Sequence, residues 1–124
     1  MRAIFCGDRE WKDYYAIKGE MEKLPKRTVI IQGRCRGADR LAKKAADSLG
    51  LTCRGYTANW PKYRNGAGPV RNTLMLHKER PKLVVAFHDN LWDGSVGTLD
   101  MVRKAIAIGV KVNLYSNGTL QEDI

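Results

Sequence analysis

No run of this 124-residue chain approaches the roughly 18 consecutive apolar residues of a membrane span, so a spanning helix is excluded. The opening MRAIFCGDRE turns charged too early to hold the apolar core of a signal peptide, which points to a cytoplasmic protein. Cysteine is scarce: Cys6, Cys35 and Cys53 are odd in number, widely spaced and free of any CxxC pair. A disulfide framework and a zinc site are therefore not expected, and buried thiols in a reducing compartment are. The two histidines, His77 and His88, stand too far apart to propose a metal centre, and nothing calls for a cofactor. Internal repeats, low-complexity tracts and linkers are also lacking, and the length fits one domain over residues 1–124.

Acidic residues are missing from the middle of the chain. Residues 26–82 hold 14 Lys and Arg against 3 Asp and Glu, while residues 1–25 balance at 5 against 5 and residues 83–124 carry 3 against 5. The whole excess of +9 thus sits in one stretch, which favours an anionic partner, either small-molecule phosphate or a nucleic-acid backbone.

Short apolar runs alternate with helical patterns. RAIFC (2–6), TVIIQ (28–32), LTCRGYTA (51–58), KLVVAFH (82–88) and VKVNLYS (110–116) read as five strands. Helices are expected from about Glu10 to Leu24, after GRCRGAD with Leu41, Ala45 and Leu49 on one stripe, from Pro69 to about Lys78, and from Thr98 to Ile108. Trp11 is expected in the first turn of the first helix, facing the core. Strand–helix alternation predicts a Rossmann-like α/β sandwich with a five-stranded parallel sheet in the order 3-2-1-4-5. A ligand then sits beyond the carboxyl ends of the strands, where the order reverses between strands 1 and 4.

The loops at that edge are unusual. Gly7, Asp8 and Arg9 follow strand 1; Gly33, Arg34, Cys35, Arg36, Gly37 and Asp39 follow strand 2; NWPKYRNGAGPVRN follows strand 3; Gly94, Ser95, Gly97 and Thr98 follow strand 4. Glycines admit close backbone approach, and helix N-termini favour anions. Arg9, Arg34, Arg36, Arg64 and Arg71 offer forked donors for phosphate oxygens. Turn-formers run straight into Arg71 and Asn72, as needed to bring a helix start to the rim of an anion pocket. Trp60 and Trp92 flank these loops as candidate base-stacking surfaces, Tyr63 lies beside them, and His88 ends strand 4 near the crevice.

With these pieces in view, GDREW (7–11), GRCRGAD (33–39), ANWPKYRNGAGPVRN (58–72), AF (86–87) and GSVGTLDM (94–101) make the chain resemble the SLOG superfamily of Rossmann-like proteins, particularly its small stand-alone bacterial and phage members. The resemblance implies a nucleotide or nucleotide-derived phosphorylated ligand, such as an ADP-ribose-type signal, held by a sensor or a sequestering sponge in phage–host conflict. It also implies a homodimer. Its ligand-binding residues would be Gly7, Arg9, Gly33, Arg34, Arg36, Gly37, Asp39, Trp60, Arg71, Asn72, Gly94, Ser95, Gly97 and Thr98. The related LOG phosphoribohydrolases carry a PGGxGTxxE loop and an arginine that Arg71 matches. Here Asp93 replaces the proline, Ser95 a glycine and Met101 the glutamate, and methionine cannot stabilise a cationic sugar. No catalytic residue follows, although Asp8 and Asp39 stand as substitute carboxylates for a phosphoribohydrolase-like alternative. A further alternative is single-stranded DNA binding, as in the related DprA proteins, with Trp60 and Tyr63 stacking on bases.

Overall fold

The computed structural model describes residues 1–124. β1 (Arg2–Gly7), β2 (Val29–Gln32), β3 (Cys53–Gly55), β4 (Leu83–Phe87) and β5 (Lys111–Ser116) are parallel and lie in the expected order. A sixth strand, β6 (Thr119–Gln121), pairs antiparallel with β5 and gives the order β3-β2-β1-β4-β5-β6. The sequence reading had no sixth strand: only a three-residue segment pairs, after a turn through Asn117 and Gly118, both with positive φ.

The central strands are buried on both faces, as their unbroken apolar runs require. One face packs Phe5, Val85 and Phe87 with Ile17 and Met21 of α1 (Tyr14–Glu22) and the alanine stripe of α2 (Ala38–Ser48). The other packs Ile4, Val84 and Ala86 with Met75 and Leu76 of α4 (Ala67–Glu79) and Met101, Val102 and Ala105 of α6 (Gly97–Ala107). Alanines 42, 45 and 46 let α2 lie close to the sheet, and bulkier residues there would hold it off.

Local chemistry moves several boundaries. The first helix starts at Tyr14 rather than Glu10, because the Asp13 side chain accepts from the Ala16 N–H and caps it. Trp11 therefore precedes the helix, yet it is core, packed on Phe87 and Tyr115. The stretch after β3 is not irregular: Asn59 caps a single turn, α3 (Trp60–Tyr63), and a 3₁₀ turn over Arg64–Gly66 leads into α4. Pro69 is the third residue of α4 rather than the first, a position whose N–H has no intrahelical acceptor to lose. A one-turn helix, α5 (Leu91–Gly94), precedes α6. The three cysteines are free thiols, each partly exposed rather than fully buried.

Candidate ligand-binding cleft

The loops after β1, β2, β3 and β4 meet at the carboxyl edge of the sheet, around a cleft of about 720 Å³. It opens where strand order reverses between β1 and β4. Gly7, Arg9, Gly33, Asp39, Trp60, Arg71, Asn72, Gly94, Ser95, Gly97 and Thr98 all line it. Three residues expected there do not. Arg34 lies along Gly55 and donates from Nη1 to Thr57 Oγ1 at 3.3 Å, directed to the edge strand instead of the cleft. Arg36 is exposed and bound to Glu10, Nη2 to Oε1 at 2.6 Å. Gly37 supports the cleft from behind: at φ 75° it lies against the carbonyls of Asp8 and Arg9, where a Cβ would come within 2.4 Å of both oxygens.

Arg71 and Asn72 hold the cleft together. Arg71 is 9% exposed. Its Nη1 donates to Gly33 O at 2.7 Å and lies 3.6 Å from Cys35 Sγ, and its Nε donates to Asn72 Oδ1 at 3.1 Å. Asn72 Nδ2 in turn donates to Gly97 O and Asp100 Oδ2, both at 3.1 Å. One turn of α4 therefore ties the β2–α2 loop to the start of α6. Gly68, one turn ahead, lies beside Arg71 Nη2 and the Trp60 ring, at distances where a Cβ would make ordinary contacts. Arg71 lines the cleft, and its Nη2 makes none of these bonds.

Asp39, 5% exposed, braces the same loop: Oδ2 accepts from Cys35 N–H at 3.1 Å. Burial raises its pKa to about 6, against the lowering effect of the Cys35 and Gly33 amides and the Arg71 charge. The Cys6 thiol is pushed well up by desolvation, then by the Asp39 charge. At the mouth, the Arg9 guanidinium lies 5.6 Å from the centre of the Trp60 ring and closes one wall. Trp92 is 55% exposed and stands outside the lining.

Further groups complete the lining. His88 Nδ1 accepts from Asn90 N–H at 3.0 Å, which leaves the ring proton of the neutral form on Nε2, 3.9 Å from Asp8 Oδ2. The sequence places each beside the crevice, and the β1–β4 pairing brings them together. Cys6 and Met75 line the cleft from inside secondary structure, where no loop signal marks them. Met101, at the LOG glutamate position, is 1% exposed and forms part of the apolar floor. Asp100 is held by Asn72 and by Lys104 at 3.0 Å. The cleft is not strongly basic: Arg9 and Arg71 face Asp8, Glu10 and Asp39. The buried groups suited to an anion are the Arg71 guanidinium and free backbone N–H groups. Those of Gly97 and Thr98, in the first turn of α6, have no intrahelical acceptor. Ser95 Oγ already accepts from Leu99 N–H at 3.1 Å.

A parallel sheet reversing at a loop-built cleft defines a Rossmann-like α/β protein. The family follows from residues 1–63, which match the model of the YspA, cpYpsA-related SLOG family (YAcAr); the chain belongs to this family. It is 29% identical over 120 residues to the Gene 61 protein of Mycobacterium phage D29, covering 90% of this chain and 93% of that protein. Its fold resembles that of DNA processing protein A (DprA) from Streptococcus pneumoniae, with a TM-score of 0.72 at 14% identity over 91% of this chain. The chain spans about half, 49%, of that DprA chain, and the likeness concerns the fold.

Proposed function

We propose that the cleft binds a phosphorylated nucleoside or a nucleotide-derived signal such as an ADP-ribose derivative, as a sensor or sequestering protein. The observation that carries this reading is that the start of α6 and the buried Arg71 line one nucleotide-sized cleft and are joined through Asn72, which accepts from Arg71 and donates to Gly97 O. Phosphate would sit against the Gly97 and Thr98 amides and Arg71 Nη2. Trp60 stands at the mouth, 43% exposed, where a base can displace or sandwich the Arg9 side chain. Calorimetric titration with AMP, ADP and ADP-ribose tests it. Gly97→Val should lower affinity at least tenfold at an unchanged melting temperature, because a Cβ at Gly97 meets nothing within 4 Å and projects from an open position. Retained affinity in that variant would remove the α6 loop from the site. A homodimer, expected from the family resemblance, is tested by light scattering on the same samples.

A hydrolytic reading draws on one specific observation, the Asp39 carboxyl buried in the cleft, where desolvation raises its pKa to about 6. It predicts release of free base from nucleoside monophosphates, abolished in Asp39→Asn. Stoichiometric binding without turnover supports the sensor reading instead. Single-stranded DNA entering over Trp60 and Tyr63 is the remaining reading, and it predicts that Trp60→Ala weakens oligonucleotide binding.

A further inference from the structure

The chain's excess of positive charge is not in the cleft, where Arg9 and Arg71 are outnumbered by Asp8, Glu10 and Asp39. Five cations at the opposite edge, where the strands begin, are exposed and take part in none of the ion pairs of the structure: Lys26, Arg27, Arg80, Lys82 and Lys111. The sheet brings them together. Lys26 and Arg27 lead into β2, Arg80 and Lys82 into β4, and Lys111 opens β5. Leu83 pairs with Ala3 of β1 on one side and Lys111 on the other, and Arg2 of β1 pairs with Val29. The cations therefore form a row along one edge, with neighbouring strands about 4.8 Å apart. Arg27 and Arg80 hold left-handed backbone, φ 65° and 45°, which costs a non-glycine residue about 1 kcal/mol. A groove of about 280 Å³ indents the same edge, lined by Met1, Lys23, Lys82 and Lys111 together with Glu20 and Glu122. Glu20 is engaged by Lys23 at 2.7 Å.

We propose that this edge is a second binding surface, which takes the phosphodiester backbone of a nucleic-acid duplex without reading its sequence. Unpaired lysines and arginines in a row suit a line of phosphates. The choice of duplex over single strand rests on the aromatics. Tyr15, Trp60, Tyr63 and Trp92 are the exposed ones, and none lies in the segments that form this edge, so it offers no stacking platform for unpaired bases. The surface is separate from the cleft, and the inference stands whatever the cleft binds.

Fluorescence anisotropy with a labelled 20-base-pair DNA duplex of arbitrary sequence tests it. Affinity should fall by roughly 10²–10³ between 50 and 200 mM salt, as expected for about five neutralised phosphates. The double variant Lys82→Glu/Lys111→Glu should bind at least thirtyfold more weakly, with a shallower salt slope and unchanged melting temperature. Lys43→Glu/Lys44→Glu, on the exposed face of α2, makes the same change in net charge and should alter affinity less than threefold. Equal losses in the two double variants would mean that binding follows net charge alone, and would overturn the surface. An unlabelled single strand competing better than duplex would overturn it too. So would binding to phosphatidylglycerol vesicles in preference to DNA, for which Ile108, 59% exposed next to this edge, offers an apolar foothold. Should the glutamate pair unfold the chain, Lys82→Gln/Lys111→Gln gives the same reading at about tenfold.

Discussion

The two edges of this sheet are built on opposite electrostatic plans. At the carboxyl edge, charges of both signs mix and are committed: Arg71 holds Gly33 and Asn72, Asp39 braces Cys35, and glycines bring backbone within contact of backbone. At the amino edge, five cations stand exposed without ion-pair partners. A buried guanidinium set by hydrogen bonds selects one geometry, whereas a solvated row of cations selects only charge density. The difference teaches that net charge alone says little about where a specific ligand goes. The basic stretch 26–82 contributes Arg71 to the cleft and four of the five free cations to the opposite edge.

Substitutions can break the contrast at either end. The largest effect is expected at Gly7, where a Cβ would come within 2.3 Å of Phe87 O and force β1 from β4. Gly7→Ala should cost about 3 kcal/mol in urea unfolding, the upper range for overpacking. A loss under 1 kcal/mol would mean that the carboxyl edge is looser than described. Asp39 comes next. Its pKa is raised in the folded state to about 6 from the ordinary value near 3.8, so its contribution to stability is full below pH 4 and lost as pH rises through 6. Unfolding of Asp39→Asn should lack this component. Its stability relative to wild type should rise by roughly 2 kcal/mol from pH 4 to pH 7, and a flat difference would contradict the raised pKa. Arg71→Ala should weaken nucleotide binding by about 1–3 kcal/mol through loss of a charged donor. The smallest effect belongs to the other edge: Arg80→Gly should stabilise by about 0.5–1 kcal/mol, since glycine accepts φ 45° without strain. Destabilisation there would show that the Arg80 side chain is held by contacts of its own.

Much of the carboxyl edge was legible in the sequence, because its signals are local. Apolar runs marked the five strands, and glycines beside Asp39, Arg71 and Thr98 marked loops and helix starts that the parallel order brings to one edge. What was not legible depends on side-chain direction or on distant pairing. Arg34 and Arg36 carry the same charge and nearly the same position as the cleft residues, yet one follows the edge strand and the other finds Glu10. The His88–Asp8 approach exists only because β1 pairs with β4. The three-residue β6 had no periodicity to read, and Cys6 lines the cleft from within a strand.

The most direct measurement is an amide chemical-shift titration of ¹⁵N-labelled protein with ADP-ribose. Signals of Gly7, Gly33, Gly97 and Thr98 should move together and saturate, while those of Arg27, Arg80 and Lys111 stay still. Movement confined to the latter group, or none at millimolar ligand, would contradict the cleft as a nucleotide site.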